Sequence, residues 1–366
     1  MKFSNLKKLF VAGISFAGLA LVPNLRADVT LFLEGGSASR PVLYDRAANL
    51  FTNGSYTATG TSSSNVRRFT GTVSPDSPLY GYGTITLDIN VANGAIAGLQ
   101  ALVNQSAGPG DTNVDGVPTV PTFVDSVTSP DAVGIDSAAN NLVALQTYVV
   151  PVIYVKNSAF PDVNAITNLT QQQAVSLETS LNKATFYGGS STNLIYFVGR
   201  NSQSAVRTET DLNVYNALRI KTFTNNAAGL PVQDTSADPG LTSGTTEAGT
   251  VFALTNSIGT IAVQDLTDKP LLAPIAYNGV NYSVENVENG SYAIWSYENY
   301  YYISKPNTGA PSDAQQAVLN AFYQSVTNAS FQNINNPTFT NNFVPVSGLK
   351  VSRNYDGGPI IPNPNY

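Results

Sequence analysis

The stretch Tyr196–Asp211, YFVGRNSQSAVRTETD, decides how the chain is read. Tyr196, Phe197 and Val198 open it as a short buried strand would. Gly199 and Arg200 follow, and then Asn201-Ser202-Gln203-Ser204-Ala205, rich in residues that cap helices. From Val206 to Tyr215 the composition suits a helix. The stretch therefore predicts a strand, a tight loop and a helix N-terminus. The first turn of such a helix has unpaired N–H groups and a partial positive charge, which suit an anion. Arg200 would stand at the loop mouth with a planar fork able to grip the same anion. A surface turn with a solvated arginine has the same spacing, so this stretch alone does not decide between the two.

Two further units of the same kind precede it. Asp28–Glu34 reads as a strand, Gly35–Ser39 as a small-residue loop, and Arg40–Phe51 as a helix with Pro41 in its first turn. Gly83–Asn90 alternates like a strand, and a helix follows to about Val103 with Asn93 as its N-cap. Ala132–Asn140 is an apolar run ending in Asp136-Ser137. Its carboxylate either points into a buried site or caps the next turn.

Composition limits the chemistry. The 366 residues contain no cysteine and no histidine. Disulfides, thiolate metal sites and a cysteine nucleophile are excluded, and the commonest general base and zinc ligand are missing. A secreted hydrolase is thus poorly equipped, and no cofactor is expected. Met1–Ala27 reads as a secretory signal, with Lys2, Lys7 and Lys8 before the apolar Leu9–Val22. Cleavage before Asp28 leaves 339 of the 366 residues. The leader carries four basic residues and no acid, so its loss takes the net charge from −6 to −10. That argues against nucleic acid as a partner and requires any anion site to act locally. Charged residues make up 11% of the chain, against roughly 25% in ordinary proteins. Asn, Ser and Thr fill the polar places, as in exported proteins.

The remaining segments fit around these units. Asn53–Ser77 predicts turns and edge strands. In the Gly/Pro-rich Gly108–Pro130, Asp111-Thr112-Asn113-Val114-Asp115-Gly116 looks like the start of a calcium loop. Thr122 at the twelfth position and the intruding Pro118 and Pro121 favour an Asx-type turn instead. Tyr148–Lys156 is strongly strand-like, and Pro151 suits a strand leaving one domain for another. Asn168–Thr170 caps a helix over Gln171–Leu181, Asn225–Thr250 reads as loop, and Ile258–Val263 as strand. Glu288–Ser304 is the aromatic peak. It fits a long strand crossing between domains better than a sugar- or base-stacking stripe. Pro311-Ser312-Asp313 opens a clear helix, and Phe343–Tyr366 reads as a surface wrap.

Taken together, three strand–loop–helix units and a strand-end Asp resemble the periplasmic phosphate-binding proteins of ABC transporters. The likeness covers most of the mature chain. It is sharpest at Arg200–Arg207, where the family's Arg, three residues, Ser-Gly-Thr appears as Arg200, Asn-Ser-Gln, Ser204-Ala205-Val206. Gly36-Ser37-Ala38-Ser39 resembles the family's first loop, and Val91-Ala92-Asn93-Gly94 its Gly-Ser-Ser-Gly loop. Asp136 resembles its Asp after a short apolar strand. VVPVIYVKN, NLTQQQ, SIGTIAV and NGSYAIW fall where the family has its crossover strand, helix cap, Ile-Gly-Tyr strand and return strand. Val206 and Ala38 lack hydroxyls that the family pattern has, and Ala205 replaces a glycine.

The resemblance implies an α/β, two-lobed type II periplasmic-binding-protein fold with a ligand cleft between lobes. One lobe would comprise residues 28–150 and 302–366, and the inserted lobe residues 151–301. It implies a monomer that binds phosphate or a related tetrahedral oxyanion for an inner-membrane ABC permease. Ser37, Ala38, Ser39, Asn93, Asp136, Arg200, Ser204, Ala205 and Val206 would surround the ligand, with Asp136 accepting the phosphate proton. The alternative is an exported structural or adhesive protein that kept the fold and lost the anion.

Overall fold

The computed structural model describes residues 27–214, 220–267, 269–333 and 336–364. The expected leader, apart from Ala27, lies outside the described residues, as does the end of the helix expected to reach about Leu218.

One large sheet organises the molecule. Its first part is built from β1 (Val29–Gly35), β2 (Ser55–Ala58), β3 (Val66–Thr72), β4 (Ile85–Asn90) and β5 (Phe123–Ser126) in the order β2-β3-β4-β1-β5. β1 runs parallel to both β4 and β5, with Val29 opposite Ile85 and Leu33 opposite Phe123. The central parallel strand β1 is covered on both faces and reads as a nearly continuous apolar run, whereas β4, paired antiparallel with β3 on its other side, alternates. The covers are α1 (Arg40–Asn49) and α2 (Ala95–Asn104), joined by the C-terminal α8 (Asp313–Thr327).

Two long strands carry the sheet onward. β6 (Leu142–Asn157) is 16 residues long. Its first half pairs antiparallel with the late strand β14 (Trp295–Ile303), and its second half with β12 (Ser257–Ala262) and β13 (Leu272–Tyr277). Pro151 sits opposite Trp295, where β6 changes partners. A residue with no N–H to donate fits that point. The far end adds β7 (Asn168–Leu169), β8 (Asn182–Lys183) and β9 (Leu194–Val198). Around it lie α3 (Pro161–Asn164), α4 (Gln171–Thr179), α5 (Ala205–Val214), α6 (Gly244–Ala253) and α7 (Val284–Glu288). α4 starts with a capping box in which Thr170 and Gln173 satisfy each other's backbone N–H groups. β10 (Phe223–Asn225) and β11 (Pro231–Gln233) form a small hairpin. α8 (Asp313–Thr327), capped by Ser312, buries Val318, Leu319, Phe322 and Val326 against α1 and β1. β15 (Val344–Pro345) pairs with β6, and β16 (Val351–Ser352) with β17 (Ile361–Pro362).

The aromatic peak is buried strand. Trp295 and Tyr300 of β14 are fully buried, and Tyr300 stacks on Phe322 of α8 with centroids 5.6 Å apart. Three expectations need correction. Ala132–Asn140 is turn rather than strand. The strand in that region is the four-residue β5, hidden among Gly, Pro and Thr too short a run to show periodicity. Asn225–Thr250 is not all loop, because Ser243 caps α6 by accepting from Thr246 N. The cap of α2 is Gly94 rather than Asn93. Gly94 has φ +93°, and the Asn93 side chain makes no cap bond.

Candidate functional site

Three loop-to-helix junctions converge between the two parts of the sheet. They are Gly36–Ser39 before α1, Gly94-Ala95 at α2, and Ser204–Val206 at α5. With Arg200, Val127 and Glu298 they enclose a cavity of about 10 Å³. That is on the order of the space one water needs. Ser37, Ala38, Ser39, Arg200, Ser204, Ala205 and Val206 are all brought to this point, and none is more than 5% exposed.

Their polar groups meet each other. Ser37 Oγ accepts from Gly244 N (3.2 Å) and Ser37 O from Gln264 Nε2 (3.2 Å). Ser204 Oγ accepts from Arg207 N (3.3 Å) as the cap of α5. Ser39 Oγ donates to Glu298 Oε2. Arg200 donates from Nε to Leu241 O (3.0 Å) and from Nη2 to Thr242 O (2.8 Å). Those carbonyls lie just before the cap of α6, so the guanidinium fork holds backbone of its own lobe. Burial lowers the Arg200 pKa, opposed by the nearby Glu247 and Asp265. Burial also raises Asp265 to about 6, against the pull of Arg200 and Arg40.

Beneath the cavity lies a pair of carboxyls. Asp125 at the end of β5 faces Glu298 of β14, with Ser39 and the Gly36 amide alongside. Both acids are buried in the core. Burial raises Asp125 to about 7, opposed by the neighbouring Ser39 and Glu298 side chains and the Gly36 amide. Burial and the Asp125 charge push Glu298 well up. Two carboxyls this close favour a shared proton over two charges.

Two expected residues lie elsewhere. Asp136 is exposed and caps its own turn, accepting from Ala139 N at 2.8 Å, while its carbonyl takes Asn140 N at 3.1 Å. The strand end that meets the cavity belongs to β5, and the residue it presents there is Val127. Asn93 turns away, donating to Asp111 Oδ1 (2.9 Å) and Glu34 Oε1 (3.3 Å). The 111–122 segment forms an Asx-type turn, in which Asn113 Oδ1 accepts from Asp115 N and Val117 N. Among the described residues no group of three or more His, Cys, Asp or Glu is placed to hold a metal.

Sequence reasoning missed Glu298, Asp125 and the contacts of Gly244 and Gln264 with Ser37. Glu298 had a readable signal, as the inward partner of Ser296 and Tyr300 in a period-two strand. Asp125 had none, since its strand is too short.

The fold has solved counterparts. A protein described as a phosphate ABC transporter substrate-binding protein with bound phosphate, from Clostridium perfringens, aligns with TM-score 0.59 and 14% identity, covering 87% of this chain and 99% of its own. The chain has a type II periplasmic-binding-protein fold. An ABC-type phosphate transport receptor from Vibrio cholerae aligns at TM-score 0.49 and 14% identity, over 80% of this chain and 93% of its own. No family model and no curated protein matches the sequence. In this chain the starts of α1, α2 and α5 meet between the two parts of the sheet around a cavity of about 10 Å³.

Proposed function

We propose that this is an exported protein that keeps the binding fold, with its oxyanion position filled by its own side chains. The observation that carries this is the cavity of about 10 Å³ enclosed by Ala38, Val127, Ala205, Val206 and Glu298. A tetrahedral oxyanion brings four oxygens around a central atom, where there is space for about one water. It would also meet Glu298 and Asp125, with Arg200 already held by two carbonyls. The leader-like Met1–Ala27 supports export, and no helix among the described residues is long and apolar enough to cross a membrane. The chain binds or bridges rather than catalyses, in keeping with its lack of histidine and cysteine. The lobes divide near Val150/Pro151 and Tyr301/Tyr302, on the two strands that cross.

Phosphate capture for an ABC permease is the second reading. It is favoured by the convergence of three helix starts and Arg200 on one point, as an anion site requires. Calorimetric titration of the mature chain with phosphate, arsenate and sulfate separates the two. No saturable heat with any of them is expected. Saturable phosphate binding by the wild-type chain replaces the first reading with the second.

A further inference from the structure

α1 and the edge strands β2 and β3 enclose a cavity of about 360 Å³. That is within the range that holds a small organic ligand. It shares no lining residue with the cavity at the cleft floor. Three rings wall it, Tyr44 of α1, Tyr56 of β2 and Phe69 of β3. Tyr56 stacks on Phe51 with centroids 5.4 Å apart and is still 45% exposed. Arg67 and Asp45 bring the charges.

Arg67 is the group without a partner. Arg40, Arg46, Arg68, Arg200, Arg207 and Arg353 each hydrogen-bond a protein oxygen through the guanidinium. Arg67 makes no such bond and no ion pair among the described residues. Its guanidinium carbon lies 4.7 Å from the Phe69 ring centroid and 5.2 Å from that of Tyr44. The two rings hold the fork in place. Nε is covered, while the two unbonded Nη atoms stay accessible to solvent. Parallel N–H groups held in this way fit the two oxygens of a carboxylate. Asp45 does not take them, because Arg46 Nε donates to Asp45 Oδ2 at 2.9 Å. The cavity therefore has one uncompensated positive charge beside a carboxylate that is already paired. A monoanion matches it, and a dianion would be repelled by Asp45.

We propose that this cavity binds a small aromatic monocarboxylate, with its carboxylate on the Nη edge of Arg67 and its ring against Tyr56 and Phe69. Contact between the rings supplies the burial, and the guanidinium fixes the orientation. The assignment does not depend on what the cleft holds.

The mature full-length chain is titrated by calorimetry with benzoate, benzamide and acetate. Benzoate is expected to bind saturably. Benzamide has the ring without the charge, and acetate the charge without the ring. Both should bind at least about tenfold more weakly. Arg67→Gln should weaken benzoate by a similar factor, and Arg67→Lys should restore only part of it, since a point charge does not reproduce the fork. Tyr56→Ser should weaken benzoate too and leave circular dichroism unchanged, because Tyr56 sits on an exposed edge strand. It keeps the test open should Arg67→Gln disturb the fold. Absence of saturable benzoate binding overturns the assignment. So does benzoate binding that Arg67→Gln or Tyr56→Ser leaves unchanged. Acetate binding as tight as benzoate overturns it as well, because the rings would then contribute nothing.

Discussion

Arg200 is a structural cation, and this changes what its removal should do. Its guanidinium holds Leu241 O and Thr242 O and faces Asp265 and Glu247 inside the second lobe. Removing one partner of a buried charge group leaves the others uncompensated, at about 3–5 kcal/mol. Arg200→Met should therefore lower stability in urea by that order, whether or not phosphate is present. Lysine should recover only part, since a point charge cannot span both carbonyls. The carboxyl pair makes a second prediction at this scale. Asp125 has its pKa raised from the ordinary range near 4 to about 7 by burial, and burial with the Asp125 charge holds Glu298 well above its ordinary value. The folded state thus keeps protons that the unfolded chain has released. Their contribution is fully present below pH ~4 and is lost as pH rises through ~7. Asp211, Asp265 and Glu34 are raised too and act in the same direction. The informative measurement is therefore a difference. Urea stability from pH 4 to pH 8 should fall less steeply in Asp125→Asn than in wild type, by up to about 1.4 kcal/mol per pH unit for one proton. Parallel slopes would show that the pair is already ionised in the fold.

Among the elements, α2 meets the facing lobe at close range. A Cβ on Gly94 would lie 2.4 Å from Gln203 O, and the residue holds φ +93°. Gly279 has a similar φ of +82° and nothing within 4 Å of a Cβ. Gly279→Ala should cost about 1–2 kcal/mol from backbone conformation alone. Gly94→Ala should cost more, because the lobe must also move. Equal losses would mean that the contact across the cleft contributes nothing. The junction also explains what could be read in advance. The starts of α1, α2 and α5 were visible as small or capping residues after an apolar run, with the cap of α2 one residue off, and so was the long crossing strand with its proline; the start of α6 was not. Gly36–Ser39 and Arg200–Val206 stood out for that reason. The partners of these residues were not visible. Ser37 meets Gly244 more than two hundred residues away, and no local periodicity reports that. The strand-end acid was misplaced at Asp136 because β5 has only four residues. A strand that short carries too little alternation to outweigh the Gly/Pro-rich sequence around it.

For the whole molecule, the consequence is a cleft closed by the chain itself. Ser37 binds Gly244, Arg40 Nη2 donates to Thr245 Oγ1 at 3.0 Å, and Thr128 Oγ1 donates to Ala205 O at 3.1 Å. Each joins residues from opposite sides of the crossing strands β6 and β14. A hinged binding protein is held open until a ligand supplies such bridges. Here the bridges are already present, so closure needs no ligand. The ligand-free mature chain should then scatter as a compact particle with a radius of gyration of about 20 Å. Saturating phosphate should leave that radius unchanged. Removing two bridges at once, in Ser37→Ala combined with Arg40→Ala, should raise it, because neither residue lies in the sheet core that holds each lobe together. Circular dichroism of the double variant should stay that of wild type. A wild-type radius that falls on adding phosphate would restore the hinge and the anion together. A double variant as compact as wild type would show that the packing of Ala38, Val127 and Val206, rather than the bridges, keeps the lobes shut.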